Sequence, residues 1–159
     1  MTNIFTPVAI WIGRQDATRE NSTLVVGLDT WLSRVTRGRV PLLRVAGLPT
    51  LTLHVPGRKT GAMRNTPLLC ASWNNGLIII GSNWGGEKMP AWVYNLRAAS
   101  EGQVEMSVYG ARLPVDVREL SGLDRDDAWA AALRVWPNYD IYAGRTDRTL
   151  PVFHLTPRL

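Results

Sequence analysis

Apolar positions along the chain fall into short alternating runs separated by glycine-rich turns, with three stretches spaced as helices. Leu24, Leu28, Trp31, Leu32 and Val35 recur at helical intervals, so residues 23–36 are predicted to form an amphipathic helix. TLTLHV (50–55) alternates instead, with Leu51, Leu53 and Val55 on one face and Thr52 and His54 on the other. That pattern predicts a strand in which His54 is half-exposed. RNTPLLCASW and GLIIIGS flank NNG, and Asn-Gly accepts the positive φ angles of a tight type I′ turn, so these runs form a hairpin. Cys70, inside its first strand, reads as inert packing.

KMPAWVYNLRAA has proline near a helix start, which places a short helix at 90–99. GQVEMSVYGARLPVDVREL is predicted to be a second hairpin turning at Gly110. GLDRDDAWAAALRVW crowds acids into its first turn, where they suit the helix dipole, and follows them with alanines. PNYDIYAGRTDRTLP reads as turn-rich, with Asp147 expected to pair with neighbouring arginines, and VFHLT as a last strand. Hairpins with helices inserted between them predict an α+β fold built on a closed or split antiparallel β-barrel with flanking helices. One domain over residues 23–159, preceded by an arm at 1–22, accounts for the length of 159.

Charge sharpens this picture because it is uneven. Residues 1–29 carry two bases and three acids, and residues 87–159 carry nine bases and ten acids. Residues 30–86 carry seven bases (Arg34, Arg37, Arg39, Arg44, Arg58, Lys59 and Arg64) and no acid, so the whole net charge of +5 arises there. Such a stretch attracts an anion. No helix-turn-helix, zinc-finger or ribonucleoprotein signature directs that charge to nucleic acid. One cysteine excludes an internal disulfide, and two histidines give no metal-site spacing. The apolar start IFTPVAIWIG lacks a basic flank and a cleavage site, so a cytoplasmic protein is expected. An apolar start followed by Arg34, Arg37 and Arg39 also permits weak peripheral attachment to an anionic membrane.

VPGRKTGAMRNTP (55–67) resembles a phosphate loop at first sight. A nucleotide-triphosphatase loop needs four residues between its first glycine and a Gly-Lys-Ser/Thr end, and it opens a helix. Here Arg58 separates Gly57 from Lys59 and the segment runs into a strand, so that reading fails. What remains is a turn whose arginine, lysine, hydroxyl and amide donors suit a phosphate or carboxylate. An exposed basic hairpin turn is the plainer alternative.

PGRKTGAMRNTPLL, IIIGSNWGGEKMPAWVYNL and WPNYDIYAGRTDRTLPV, in that order and spacing, resemble the deazaflavin-dependent nitroreductase family of actinobacteria. The resemblance spans about Thr50 to Pro157 and implies a split β-barrel related to FMN-binding barrels. It implies the cofactor F420, a polyanion with a ribityl-phosphate and an oligoglutamate tail, used in its reduced form F420H2. By the same resemblance Arg58, Lys59, Thr60 and Arg64 bind phosphate and tail. Asn65, Thr66, Pro67 and Leu68 run beside the deazaflavin, Ile80, Gly81, Ser82 and Asn83 touch the ring, and Ala91, Trp92 and Asn95 wall the cofactor, unless Trp92 is a core residue. Trp136, Tyr139 and Tyr142 line the substrate pocket, unless they form an aromatic stripe filling the core. Trp136 stands where relatives active on nitroimidazoles show tyrosine, and Asn83 where many show lysine. The implied reaction is hydride transfer to a quinone, enone or nitroaromatic, with Tyr139 and Ser82 as candidates to orient substrate or relay a proton. The rivals are an FMN-dependent oxidoreductase of the same barrel class and a non-catalytic binder of F420 or another polyanion. Related barrels often pair, so a homodimer fits the resemblance too.

Overall fold

The computed structural model describes residues 47–158. The predicted helix at 23–36 and the arm at 1–22 lie outside them. Seven antiparallel strands carry the fold, β1 (Thr50–Pro56), β2 (Met63–Leu69), β3 (Ala71–Trp73), β4 (Gly76–Ile80), β5 (Glu105–Val108), β6 (Ala111–Glu119) and β7 (Val152–Pro157). Three helices accompany them, α1 (Ala91–Ala98), α2 (Gly122–Val135) and α3 (Asn138–Gly144). The strands pair in the order β2-β1-β5-β6-β7-β4-β3. The two outermost members, β2 and β3, are consecutive in the chain and separated by Cys70 alone. The sheet therefore curls until its edges meet at one bent segment, as a split barrel requires.

Period-two alternation divides the apolar residues between two cores. Leu51, Leu53, Val55, Ile79, Met106, Val115, Phe153 and Leu155 converge from five strands on the inside of the curl, where Trp92, Val93 and Leu96 of α1 pack against them. Ile78, Ile80 and Val152 point the other way, onto Ala128 and Ala132 of α2 and onto Trp136, Tyr139 and Tyr142. Two indole N–H groups tie α2 down. Trp73 Nε1 donates to Asp127 Oδ2 at 2.8 Å, and Trp129 Nε1 donates to Asp140 Oδ1 at 2.8 Å. The segment at 138–144, expected as turns, is a helix because its aromatic face at every third position buries on this second core.

Both hairpins form, but the first keeps only Ala71–Trp73 of its predicted strand, since residues 64–69 pair with β1 instead, and it turns one residue earlier than Asn-Gly predicts. Asn74 and Asn75 make the loop, with Asn74 at φ 49°, and Gly76 already pairs with Trp73. Gly76 is glycine because β7 passes close by: a Cβ there would lie 2.3 Å from Leu155 O and 2.7 Å from His154 Nε2. The second hairpin turns at Tyr109 and Gly110, which have φ 49° and 87°, the pair of positive angles a type I′ turn demands.

Candidate functional site

The loop between β1 and β2 is held by its own backbone. Gly57 N donates to Ala62 O at 2.8 Å and Gly61 N to Gly57 O at 2.7 Å, with Gly61 at φ 70°. Thr60 Oγ1 accepts from Ala62 N at 3.3 Å. Arg58, Lys59 and Thr60 are thereby thrust outward and exposed. Arg58 is placed further by α1: its backbone N–H donates to Asn95 Oδ1 at 3.1 Å, and its guanidinium lies 4.9 Å from the centre of the Tyr94 ring.

Ion pairing sets these bases apart from four of the other arginines, although Lys88, Arg125, Arg134 and Arg148 also lack a carboxylate partner among the described residues. Arg97, Arg112, Arg118 and Arg158 each meet a carboxylate. Among the described residues, Arg58, Lys59 and Arg64 meet none. Three cations gathered at one end of the barrel without counter-charge are a donor set suited to a polyanion.

Beyond the loop, β2 is an edge of the sheet, and Pro67 sits where an edge strand tolerates it. Arg64 and Asn65 are exposed, while Thr66, Pro67 and Leu68 are half-buried. His54 departs from its expected half-exposure and is buried. Its Nδ1 lies 2.7 Å from Asn65 Oδ1 and its Nε2 lies 2.7 Å from Ser107 Oγ, so polar partners on both neighbouring strands satisfy it on the face away from the barrel core.

After β4 the chain enters a strained loop, residues 81–86. Asn83, Trp84 and Gly85 have φ 45°, 56° and 77° in succession, a conformation that costs a bulky residue such as Trp84 about 1–3 kcal/mol. Asn83 Nδ2 donates to Lys88 O at 2.9 Å, and the Ser82 side chain is half-buried. Trp84 meets Tyr142 edge-on at 5.8 Å, which joins the loop to α3. The expected pairing of Asp147 with nearby arginines gives way to another contact from the same motif. Arg148 reaches back to carbonyls of the loop, donating to Gly81 O at 2.9 Å, Ser82 O at 2.6 Å and Gly86 O at 2.9 Å. Nothing local in the sequence signals this, because the acceptors lie 62 to 67 residues upstream.

α1 and α3 divide the remaining candidates. Ala91 is exposed and Asn95 half-buried, whereas Trp92 is buried edge-on against Phe153 at 5.9 Å. Trp136, Tyr139 and Tyr142 are all buried, and Trp136 Nε1 donates to Tyr142 Oη at 3.3 Å. Burial pushes the Tyr142 phenol up to about 12, and burial raises that of Tyr139 as well, reinforced by Tyr142 and Cys70. Both stay protonated near neutrality, so they can donate a hydrogen bond but not act as bases. The structure thus brings Arg58 to Asn95 and Gly81, Ser82 and Gly86 to Arg148, while Ile80 and the three aromatics group with α2 in the core.

Residues 27–157 match the family described as F420H(2)-dependent quinone reductase. The chain belongs to that family. It is an F420H2-dependent oxidoreductase, with reduced F420 as its cofactor. A mycobacterial relative, Rv3178 of Mycobacterium tuberculosis strain H37Rv, carries the F420H(2)-dependent quinone reductase name in provisional form; it is 29% identical over 111 residues, 70% of this chain and 92% of that one. Among solved structures, the F420-H2 dependent reductase FDR-A is 31% identical with a TM-score of 0.61, over 67% of this chain and 93% of its own. A second, described as a domain-swapped dimer, is 30% identical with a TM-score of 0.63, over 88% and 97%. The unpaired cations of the first loop fit the phosphate and oligoglutamate of this cofactor, which FMN, lacking the tail, would leave partly unused.

Proposed function

We propose that this member of the family reduces a small, electron-poor acceptor, with a quinone as the leading candidate. The cofactor would lie in a groove that we assign between the β1–β2 loop and residues 81–86. The observation that carries this reading is the set of three exposed cations without carboxylate partners, at one end of a strand edge whose other landmark is a strained, pinned loop. Arg58, Lys59, Thr60 and Arg64 would hold phosphate and tail. Asn65, Thr66, Pro67 and Leu68 would lie beside the ring, with Ile80, Gly81, Ser82 and Asn83 across from them and Ala91, Trp92 and Asn95 behind. When bound, reduced F420 supplies a hydride, and the protein supplies placement and electrostatics.

The protein's remaining task is to orient the acceptor and deliver a proton. Ser82, whose hydroxyl has no hydrogen-bond partner among the described residues, stands at the loop and is the nearer candidate. Tyr139 would act from the core as a donor only, with Trp136 and Tyr142 forming the wall behind it. The domain-swapped relative supports assembly as a homodimer, and the family match, beginning at residue 27, supports one domain over 23–159. No helix among the described residues is long and apolar enough to cross a membrane. A cytoplasmic protein whose apolar start, followed by Arg34, Arg37 and Arg39, permits weak contact with an anionic membrane surface is the reading we favour.

Fluorescence titration with F420 and with FMN tests the cofactor site, and F420H2 oxidation by a panel of quinones, enones and nitroaromatics tests the acceptor. Binding of FMN in preference to F420 would overturn the assigned groove. Oxidation by nitroaromatics alone would overturn the quinone assignment.

A further inference from the structure

Arg148 is the one polar side chain of the described residues that gathers three backbone carbonyls onto a single group. Nε donates to Gly86 O, Nη1 to Gly81 O and Nη2 to Ser82 O, and Nη1 also lies 3.5 Å from Met89 Sδ. No carboxylate pairs with it among the described residues. An ordinary structural arginine at a surface pairs with an acid, as Arg97, Arg112, Arg118 and Arg158 do here. Arg148 is spent on a loop instead.

That loop would not hold its shape unaided. Asn83, Trp84 and Gly85 are consecutive left-handed residues, and such strain persists only when the surroundings over-determine it. The glycines show how closely those surroundings fit. A Cβ at Gly81 would come within 2.8 Å of Val93 Cγ2 and Pro151 Cγ, and one at Gly85 within 2.9 Å of Tyr142 O. Packing therefore fixes two points of the loop, and the guanidinium fixes its carbonyls on both sides of the strained residues. Lysine could not substitute, because one ammonium cannot span three acceptors in a planar fork. Burial lowers the pKa of the guanidinium from its ordinary value, yet it stays charged at neutral pH, since carbonyl dipoles do not neutralise it. A cation thus sits directly against the loop carbonyls.

We propose that Arg148 is a positioning residue: its fork holds residues 81–86 in their left-handed form, and that form is what receives the deazaflavin ring. The inference rests on the cofactor groove proposed above, and it assigns to Arg148 a share of ring affinity separate from the tail grip of Arg58 and Lys59. It acts through the loop carbonyls and needs no contact with the ligand.

The test uses Arg148→Lys and Arg148→Met in the full chain, with two probes: F420 and the deazaflavin riboside that lacks phosphate and tail. Amide hydrogen exchange of the ligand-free protein reads the loop directly, and thermal melting reads the fold. Arg148→Lys, which retains charge and most of the bulk, remains informative should Arg148→Met not fold. The expected result is exchange at 82–86 accelerated about tenfold or more, with the strands unchanged, and affinity for both probes weakened by the same factor. Arg58→Ala/Lys59→Ala, by contrast, should weaken F420 and leave the riboside unaffected. A lysine variant that melts earlier yet keeps slow loop exchange and full riboside affinity would make Arg148 merely structural and overturn the proposal. Faster loop exchange with unchanged riboside affinity would overturn it too, by removing the ring from this loop. Failure of the wild-type protein to bind either probe would instead overturn the cofactor groove itself.

Discussion

Removing the two loop cations together, Arg58→Ala/Lys59→Ala, should weaken F420 binding in proportion to the length of its glutamate tail. Both side chains are exposed, so each contact with a tail carboxylate is a solvent-screened pair, worth about 0.2–1 kcal/mol. The pair then amounts to roughly 0.4–2 kcal/mol, or about a two- to thirtyfold rise in Kd. Arg58 should account for the larger part, because its guanidinium is already ordered by the Tyr94 ring and its backbone by Asn95. Lys59 has no such support and gives up side-chain entropy on binding. Screening supplies an internal control: the Debye length shrinks from about 8 Å at 0.15 M salt to about 3 Å at 1 M, so the wild-type advantage should fade with salt. Fluorescence titration with short- and long-tailed F420 at both ionic strengths reads all of this. Equal losses for both tail lengths, or a loss that persists undiminished at 1 M salt, would refute the assignment of these bases to the tail.

Three further outcomes follow from the packing. His154 is buried with Nε2 lacking a partner among the described residues, faces Arg118, Trp73 and Asp124, and has its pKa lowered below 6.5, chiefly by burial. The unfolded chain therefore takes up the proton first, so stability holds above pH 6.5 and falls as pH drops below it; urea unfolding at pH 7.5 and 5.5 should show the loss, and His154→Leu should reduce it. Gly76→Ala forces a Cβ against backbone at 2.3 Å and should cost about 3 kcal/mol, whereas Gly110→Ala, with φ 87° and open space around it, should cost about 1–2 kcal/mol. A reversed order in urea unfolding would contradict the close approach of β7. Cys70 is buried and its thiol is pushed up to about 12, so a thiol reagent should leave the folded protein untouched and label it once on unfolding.

What the sequence disclosed and what it concealed follow one physical division. Alternation reported β1, the β5–β6 hairpin and its turn, because burial on one face of a strand is written in period two. The acid-free stretch reported the exposed cations Arg58, Lys59 and Arg64 without carboxylate partners among the described residues, since lack of counter-charge is a local property. Contacts between distant segments left no such trace. The turn after β3 moved off Asn-Gly because β7 needed Gly76 elsewhere, and His54 was buried by partners on β2 and β5. Pro137, Asn138 and Gly144 made α3 look like turns, although the aromatic spacing between them was already helical. Arg148 was the most distant case, its acceptors recognisable only once the chain is folded.

Because Arg148 addresses carbonyls, its hold on the loop does not depend on which side chains the loop carries. Every residue type offers the same carbonyl oxygen, so a substitution at Ser82 leaves the anchor intact, while Gly81 and Gly85 have no room to change and a Cβ at Gly86 would press on Asn83 O at 3.1 Å. The loop is therefore a fixed frame with replaceable contents. A library of side chains at Ser82 should change what the loop presents while its backbone keeps its shape, which amide exchange at 82–86 would read.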